Sequence, residues 1–266
     1  MNASPIGIFD SGIGGLTVVR AVYERLPHES TVYFGDTARV PYGPKSPETV
    51  TRYSLEILDW LLKQGVKAVV IACNTSTAHA LETLQKQSPV PVIGVIEPGA
   101  RAAAAASRAG PIGVIGTAGT IASNAYARAI QRARPGAHVE QKACPLFVPL
   151  VEEGWFEHPA AELIAREYLE PLRQARVDTL VLGCTHYPLL KPLLQRVMGS
   201  DVRLIDSGEE TAAAVEQALQ TASLAAPADG TAVHRFAVSD DEVRFRQVGA
   251  RFIGERMGRA EVVPLS

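Results

Sequence analysis

Val66-Lys67-Ala68-Val69-Val70-Ile71-Ala72-Cys73-Asn74-Thr75 decides how the rest of this chain is read. It is an apolar run of strand length that ends in a small residue, a cysteine and then polar residues. A near-copy follows at Val177-Asp178-Thr179-Leu180-Val181-Leu182-Gly183-Cys184-Thr185-His186. An apolar run without polar alternation is a strand buried on both faces, the pattern of a parallel sheet. Each cysteine then falls at a strand's carboxyl end, where open α/β sheets place their ligands. A second pair of segments repeats at nearly the same offset: Ile6-Gly7-Ile8-Phe9 aligns with Ile112-Gly113-Val114-Ile115. Two repeats at similar offsets indicate an internal duplication with a period far too long for a solenoid. The chain reads as two similar α/β halves with one thiol on each side of a shared site.

Working outward from these strands, glycine- and proline-marked loops separate alternating strand and helix patterns. Asp10-Ser11-Gly12-Ile13-Gly14-Gly15 follows the first strand and leads into a helix over Leu16–Leu26. Glycines there permit a tight turn, and the helix start offers N–H groups to an anion. The loop lacks the Lys-Ser/Thr of a P-loop and the spacing of a dinucleotide fingerprint. A strand at Thr31–Gly35 runs into the long loop Asp36–Ser46, of a length that is often functional. Ser46-Pro47-Glu48 caps the next helix. Pro91–Ile96 reads as a strand, Glu97-Pro98-Gly99 as a boundary, and Ala100–Arg108 as a helix. Cys144–Trp155 reads as an apolar, proline-broken loop before a helix at His158–Gln174, and Pro188–Met198 as one helix. Asp206-Ser207-Gly208 repeats the Asp10-Ser11-Gly12 motif. Ser239-Asp240-Asp241-Glu242 has capping-box spacing ahead of a last helix, and Val262-Val263 suits an edge strand.

Composition narrows the function classes. The 266 residues are 47% hydrophobic, enough for one large or two ordinary domains. Lys and Arg number 26 against 28 Asp and Glu, a net charge of −2 that gives no reason to expect a nucleic-acid partner. No apolar run is long enough to span a membrane. Met1-Asn2-Ala3-Ser4-Pro5 shows no basic region followed by an apolar one, so a cytoplasmic location is expected. Three cysteines do not make a disulfide framework, and a reducing compartment fits them best.

Buried cysteine is commonly inert, and Cys144, beside Pro145 with no partner nearby in sequence, is assigned to that class. Cys73 and Cys184 differ: both end strands, both precede helix starts that should favour a thiolate, and the repeat relates them. Two thiols facing each other could form a disulfide, bind a metal, act as a redox pair or invert a carbon acid. A metal needs about four ligands, and only His186 lies near in sequence. A Cys-X-X-Cys motif is absent. Inversion needs an acid–base group on each face of the substrate, which a duplicated fold supplies, and a thiol titrates near ambient pH. No pyridoxal-lysine motif is recognisable, so this scheme would use no cofactor.

Four motifs carry a resemblance. They are Phe9-Asp10-Ser11-Gly12-Ile13-Gly14-Gly15-Leu16-Thr17, Tyr33-Phe34-Gly35-Asp36-Thr37-Ala38-Arg39-Val40-Pro41-Tyr42-Gly43, Ala72-Cys73-Asn74-Thr75 and Gly183-Cys184-Thr185-His186-Tyr187-Pro188. The chain resembles the bacterial glutamate racemases of the cofactor-independent aspartate/glutamate racemase superfamily. The His-Tyr after Cys184 is similar to the glutamate enzymes, where aspartate racemases tend to carry a glutamate. No motif covers the C-terminal ~45 residues. The resemblance implies an isomerase that interconverts L- and D-glutamate, without cofactor or metal, and supplies D-glutamate for peptidoglycan. It makes Cys73 and Cys184 the acid–base pair, the first acting on D-glutamate and the second on L-glutamate. Asp10 and His186 resemble residues placed beside the thiols. Glu152 is matched to a further family carboxylate, with adjacent Glu153 as the alternative. The implied substrate-binding set is Asp10, Ser11, Tyr42, Gly43, Asn74, Thr75, Thr117, Thr120, Thr185 and His186. Glutamate brings two carboxylates, which suit a set rich in hydroxyl and amide donors. The expected architecture is α/β, two similar domains with parallel-rich sheets flanked by helices. One domain takes 1–96 plus 208–266 with Cys73, the other 97–207 with Cys184, and the site lies at their interface. A homodimer is also implied.

Overall fold

A computed structural model describes residues 2–265. The first strands and helices are β1 (Ile6–Asp10), α1 (Leu16–Arg25), β2 (Thr31–Gly35), α2 (Pro47–Lys63), β3 (Ala68–Ile71), α3 (Asn74–Gln87) and β4 (Val92–Gly94). They are followed by α4 (Ile96–Ala106), β5 (Ile112–Gly116), α5 (Ala118–Ala122), α6 (Ala125–Ala133), β6 (Val139–Ala143) and α7 (Phe147–Glu152). Next come α8 (Pro159–Gln174), β7 (Thr179–Gly183), α9 (Lys191–Met198) and β8 (Arg203–Asp206). The last elements are α10 (Ser207–Thr221), β9 (His234–Val238), α11 (Glu242–Ile253) and β10 (Ala260–Val262).

The strands form two sheets, ordered β10-β9-β2-β1-β3-β4 and β6-β5-β7-β8, with every recorded pairing parallel. Helices cover both, so β1, β3, β5 and β7 are buried along their whole length, as their unbroken apolar sequences require. The duplication is visible in the order: β2-β1-β3-β4 matches β6-β5-β7-β8. In each sheet the chain reverses direction of growth between the first and third strands of its half. That makes β1/β3 and β5/β7 the two crevices where an open α/β sheet binds ligands. Cys73 follows β3 and Cys184 follows β7, so duplication alone delivers one thiol to each crevice.

One apolar core joins the two sheets, running from Ile6, Leu16 and Val70 to Ile112, Tyr126 and Leu180. A second lies on the far face of the first sheet, under α2 and α3, around Phe34, Ile57, Leu61 and Ile71. No described helix is long and apolar enough to cross a membrane.

Several local expectations change. Glu97-Pro98-Gly99 is no boundary but the first turn of α4, and Cys144–Trp155 contains α7 with Pro149 in its first turn. Proline is tolerated there because first-turn N–H groups have no partner within the helix. Pro188–Met198 divides into a 3-10 turn at Tyr187–Leu190 and then α9. The last helix is capped by Asp241, whose Oδ1 accepts from Arg244 N at 2.9 Å, and not by Ser239. Ser239 Oγ donates instead to the buried Asp36 Oδ1 at 2.8 Å, a stronger, charge-assisted partner.

Candidate active site

The crevice at β1/β3 is built from two strand ends side by side. Asp10 ends β1, and its Oδ2 accepts from Gly12 N at 3.0 Å, which folds the glycine loop into an Asx turn. Asp206 repeats this turn, accepting from Gly208 N at 2.8 Å. Beside Asp10, Cys73 is the N-cap of α3 and its Sγ accepts from Ser76 N at 3.4 Å. Sequence reasoning expected the helix start to favour the thiolate there. The opposite holds: burial and then the Asp10 carboxyl push Cys73 up to about 11, against the hydrogen bonds from Ser76 and Ser11. The loss of water around a fully enclosed thiol outweighs one helix N-terminus. Burial likewise raises Asp10, with His186, Gly12, Gly15 and Thr185 pulling the other way.

The β5/β7 crevice has different surroundings. Cys184 leads into Thr185, His186 and a 3-10 turn, not an α-helix. His186 Nδ1 lies 4.0 Å from Cys184 Sγ, and its Nε2 lies 3.1 Å from Glu152 Oε1. Burial works against a charge on His186, but the hydrogen bonds to Cys184 and Glu152 and the charges on both hold it up at about 10. Burial raises Glu152 too, yet His186 and Arg244 prevail and keep it below the usual carboxylate range. Of the two adjacent carboxylates, Glu152 meets the imidazole; Glu153 is 63% exposed and 3.7 Å from Arg244.

The two crevices face each other across a cavity of about 40 Å³. Cys73, Ser11, Tyr42, Gly43, Asn74 and Thr75 line it from the first sheet. Cys184, Thr117, Thr185 and His186 line it from the second. The space suits roughly three waters. An outer vestibule of about 420 Å³, bounded by Pro41, Pro44, Val148, Pro149 and Glu152, adjoins it. A larger, open hollow of about 1070 Å³ near Arg108, Asp178 and Arg203 includes none of the predicted site residues.

The closeness of the halves depends on glycine. A Cβ on Gly14 would run into Thr185 Oγ1 and His186 Nδ1, and one on Gly43 would come within 2.9 Å of Thr117 Cβ. Thr17 Oγ1 donates to Thr185 O at 3.0 Å, and Gly119 N donates to Gly43 O at 2.9 Å across the same seam.

Donors converge on the cavity. Thr75 Oγ1 lies 2.9 Å from Thr117 Oγ1 and 3.3 Å from Thr120 Oγ1, a hydroxyl cluster fed from both sheets. Asn74 Oδ1 accepts from Tyr126 OH at 2.7 Å, while its buried Nδ2 has no hydrogen-bond partner among the described residues. A buried amide left with a free donor fits an incoming carboxylate. Three predicted residues stand back from the cavity: Asp10 behind Ser11, Thr120 behind Thr75 and Thr117, and Glu152 behind His186. Tyr42 reaches the cavity, but its hydroxyl donates to Asp36 Oδ2 and is not free to bind a ligand. Asp36 in turn also accepts from Arg39 Nε at 2.8 Å.

Sequence reasoning missed Ser76, Asp36, Val148 and Arg244. Ser76 was readable as the third residue after a capping Cys73; the other three meet the site only through tertiary packing. Cys144 is buried, and its thiol donates to Lys142 O at 3.7 Å. Among the described residues, no group of three or more His, Cys, Asp or Glu is arranged to hold a metal.

The Asp/Glu/hydantoin racemase pattern matches residues 16–218. The glutamate racemase of Geobacter metallireducens is 56% identical over 260 residues, covering 98% of this chain and 96% of that protein. Among solved structures, the RacE1 isoform of glutamate racemase from Bacillus anthracis superposes with a TM-score of 0.94 at 40% identity, covering 100% of this chain and 98% of that one. Glutamate racemase from Francisella tularensis, solved in complex with D-glutamate, superposes with a TM-score of 0.93 at 38% identity, covering 100% and 99%. With its duplicated sheets, paired thiols and full-length similarity to these proteins, the chain belongs to the Asp/Glu/hydantoin racemase family and, within it, to the glutamate racemases.

Proposed function

We propose that this chain interconverts L- and D-glutamate by proton transfer at Cα between Cys73 and Cys184. The observation that carries the reading is one buried cavity with a thiol from each crevice and the unpaired Asn74 Nδ2 donor on its wall. Removing the Cα proton leaves a planar carbanion. Returning a proton from the same side regenerates the starting enantiomer, and returning it from the other side inverts it. One thiolate acts as base on one face while the opposite thiol acts as acid on the other. Cys73 takes the proton of D-glutamate and Cys184 that of L-glutamate. The raised pKa of Cys73 agrees with this role, because a dehydrated thiolate is a stronger base than one in water and Cα–H is a weak acid. Negative charge spreads onto the α-carboxylate as the proton leaves. Asn74 Nδ2 and the Thr75–Thr117–Thr120 hydroxyls are preorganised donors for carboxylate oxygens in a site that excludes water. Asp10 and His186, with Glu152 behind it, adjust the two thiols.

The residues 1–96 plus 208–266 form the domain bearing Cys73 and 97–207 the domain bearing Cys184, working as a homodimer in the cytoplasm. The product D-glutamate serves peptidoglycan synthesis. The direct test incubates purified protein with L-glutamate in heavy water, without added cofactor, and separates the enantiomers. D-glutamate carrying deuterium at Cα is expected, with aspartate as the parallel substrate that stays unchanged. Absence of D-glutamate would sink the reading.

A further inference from the structure

The C-terminal stretch carries no recognised motif, yet one helix of it reaches the site. Helix α11 lies between β9 and β10 of the first sheet and packs on α1. Three of its residues meet the Cys184 side, which belongs to the second sheet. Arg244 Nη2 lies 3.4 Å from Glu152 Oε2, the oxygen not used by His186. Arg251 Nη1 donates to the main-chain carbonyl of Glu152, at the end of α7, and its guanidinium lies over Gly154. Phe252 sets its ring edge-on to His186, with centroids 5.7 Å apart and planes at 90°. Arg244 and Arg251 are seven positions apart, which puts both on one face of the helix.

We propose that α11 is the positioning element for the Cys184 side, with Arg244 holding the Glu152 carboxylate ionised and turned toward His186. This rests on the reading of His186 and Glu152 as the groups that support Cys184. Without Arg244, Glu152 keeps one neutralising neighbour, His186, and gains none. The charged and titratable groups around the pair are few: Cys184 and Asp10 on the imidazole side, and Glu153, Arg244 and Arg251 on the carboxylate side. Arg251 is committed to a carbonyl, which fixes the end of α7 and leaves Arg244 as the cation facing the carboxylate. Phe252 blocks rotation of the imidazole from its other flank. Cys73 takes its hydrogen-bonding neighbours, Ser11 of the glycine loop and Ser76 of α3, from its own half, and the second half reaches that side through Thr185, whose Oγ1 donates to Asp10 Oδ1 at 3.4 Å.

The test measures kcat/KM for both enantiomers across pH in the full chain and in Arg244→Ala, Arg244→Lys, Glu152→Gln, Glu153→Gln and the double variant Arg244→Ala/Glu152→Gln. Arg244 is 52% exposed, so the expected loss in Arg244→Ala is modest, about three- to fivefold at low salt. It is equal in both directions, because the enantiomers have the same free energy. The acid limb of the profile moves up by about half a pH unit, since a Glu152 without its cation protonates at higher pH. Arg244→Lys restores the limb, high salt narrows the difference, and Arg244→Ala adds nothing in the Glu152→Gln background. A changed profile in Glu152→Gln with an unchanged one in Arg244→Ala would overturn the proposal alone. So would Glu153→Gln reproducing Arg244→Ala, or full additivity in the double variant. Unchanged kcat/KM in Glu152→Gln would overturn it together with the reading of the site beneath it.

Discussion

Cys73 and Cys184 occupy equivalent strand ends of a duplicated scaffold, yet their surroundings differ in kind. Cys73 caps an α-helix, is flanked by the Asp10 carboxyl and is served by donors from Ser11 of the glycine loop and Ser76 of the helix it caps. Cys184 opens onto a short 3-10 turn and faces His186, an imidazole held protonated to about pH 10 by Cys184 and Glu152. One thiol thus sits beside a carboxyl group and the other beside a protonated imidazole. Duplication places two thiols across one cavity, which in the proposed reaction is the geometry that inversion needs. The divergence of the neighbours supplies what duplication cannot, because L- and D-glutamate are mirror images and the chiral walls around them are not.

The most severe break of the comparison removes one thiol at a time. Cys73→Ser and Cys184→Ser should each lower racemisation by about 10³-fold or more in both directions, because a serine hydroxyl is far too weak an acid to replace either role. The remaining thiol should still exchange the Cα hydrogen of one enantiomer with heavy water. Cys184→Ser should label D-glutamate only and Cys73→Ser L-glutamate only, measured by mass spectrometry of the separated enantiomers. Labelling of the same enantiomer by both variants would contradict the assignment of faces.

His186→Gln should cost about 10²-fold in kcat, and it tests the imidazolium beside Cys184 directly. It also has a stability signature. The folded pKa, about 10, lies above the ordinary 6.5, so pairing of His186 stabilises the fold fully below about pH 6.5. That contribution declines as pH rises toward 10. Denaturant unfolding across this window should show stability falling with pH, and His186→Gln should flatten that slope; an unaltered slope would remove His186 as its source.

Gly14→Ala probes the seam from the opposite side. Its Cβ would meet Thr185 and His186, so the loop of the first sheet must retreat from the second. The expected cost is about 2 kcal/mol in stability and about tenfold in activity, read by thermal unfolding and initial rates. The smallest effect belongs to Tyr42→Phe. It removes one donor from the buried Asp36 carboxylate and should destabilise by about 1–2 kcal/mol, with kcat/KM within a few-fold of the parent. A large loss of kcat would mean that the Tyr42 hydroxyl leaves Asp36 to meet substrate.

What could be read in the sequence was whatever the backbone decides locally. Uninterrupted apolar runs of strand length, rich in β-branched residues and bounded by turn signals, read as strands covered on both faces, so β3 and β7, and the cysteines at their ends, were legible from residue order. The repeat of Ile6–Phe9 at Ile112–Ile115 predicted two matched sheets, and their strand orders match. The glycine loops, Asn74-Thr75 and Thr185-His186 were placed because they follow those strands within a few residues. Proline punctuation misled at Glu97-Pro98-Gly99 and at Pro149, because a first-turn proline begins a helix as readily as it ends one.

Only the tertiary structure decided the rest. Which of Glu152 and Glu153 meets His186 depends on where α7 ends, and that end is held by Arg251, far along the chain. Asp36 takes Tyr42 from its own loop and Ser239 from the end of β9 as partners because two distant segments pack around one buried carboxylate. The direction of the Cys73 shift reversed the local expectation, since burial depends on everything packed around the thiol and not on the helix it caps. Residue order therefore determined the two thiols and the strands that carry them. Packing determined the charges beside each thiol, because electrostatic energy depends on distance through space and on how much water remains there.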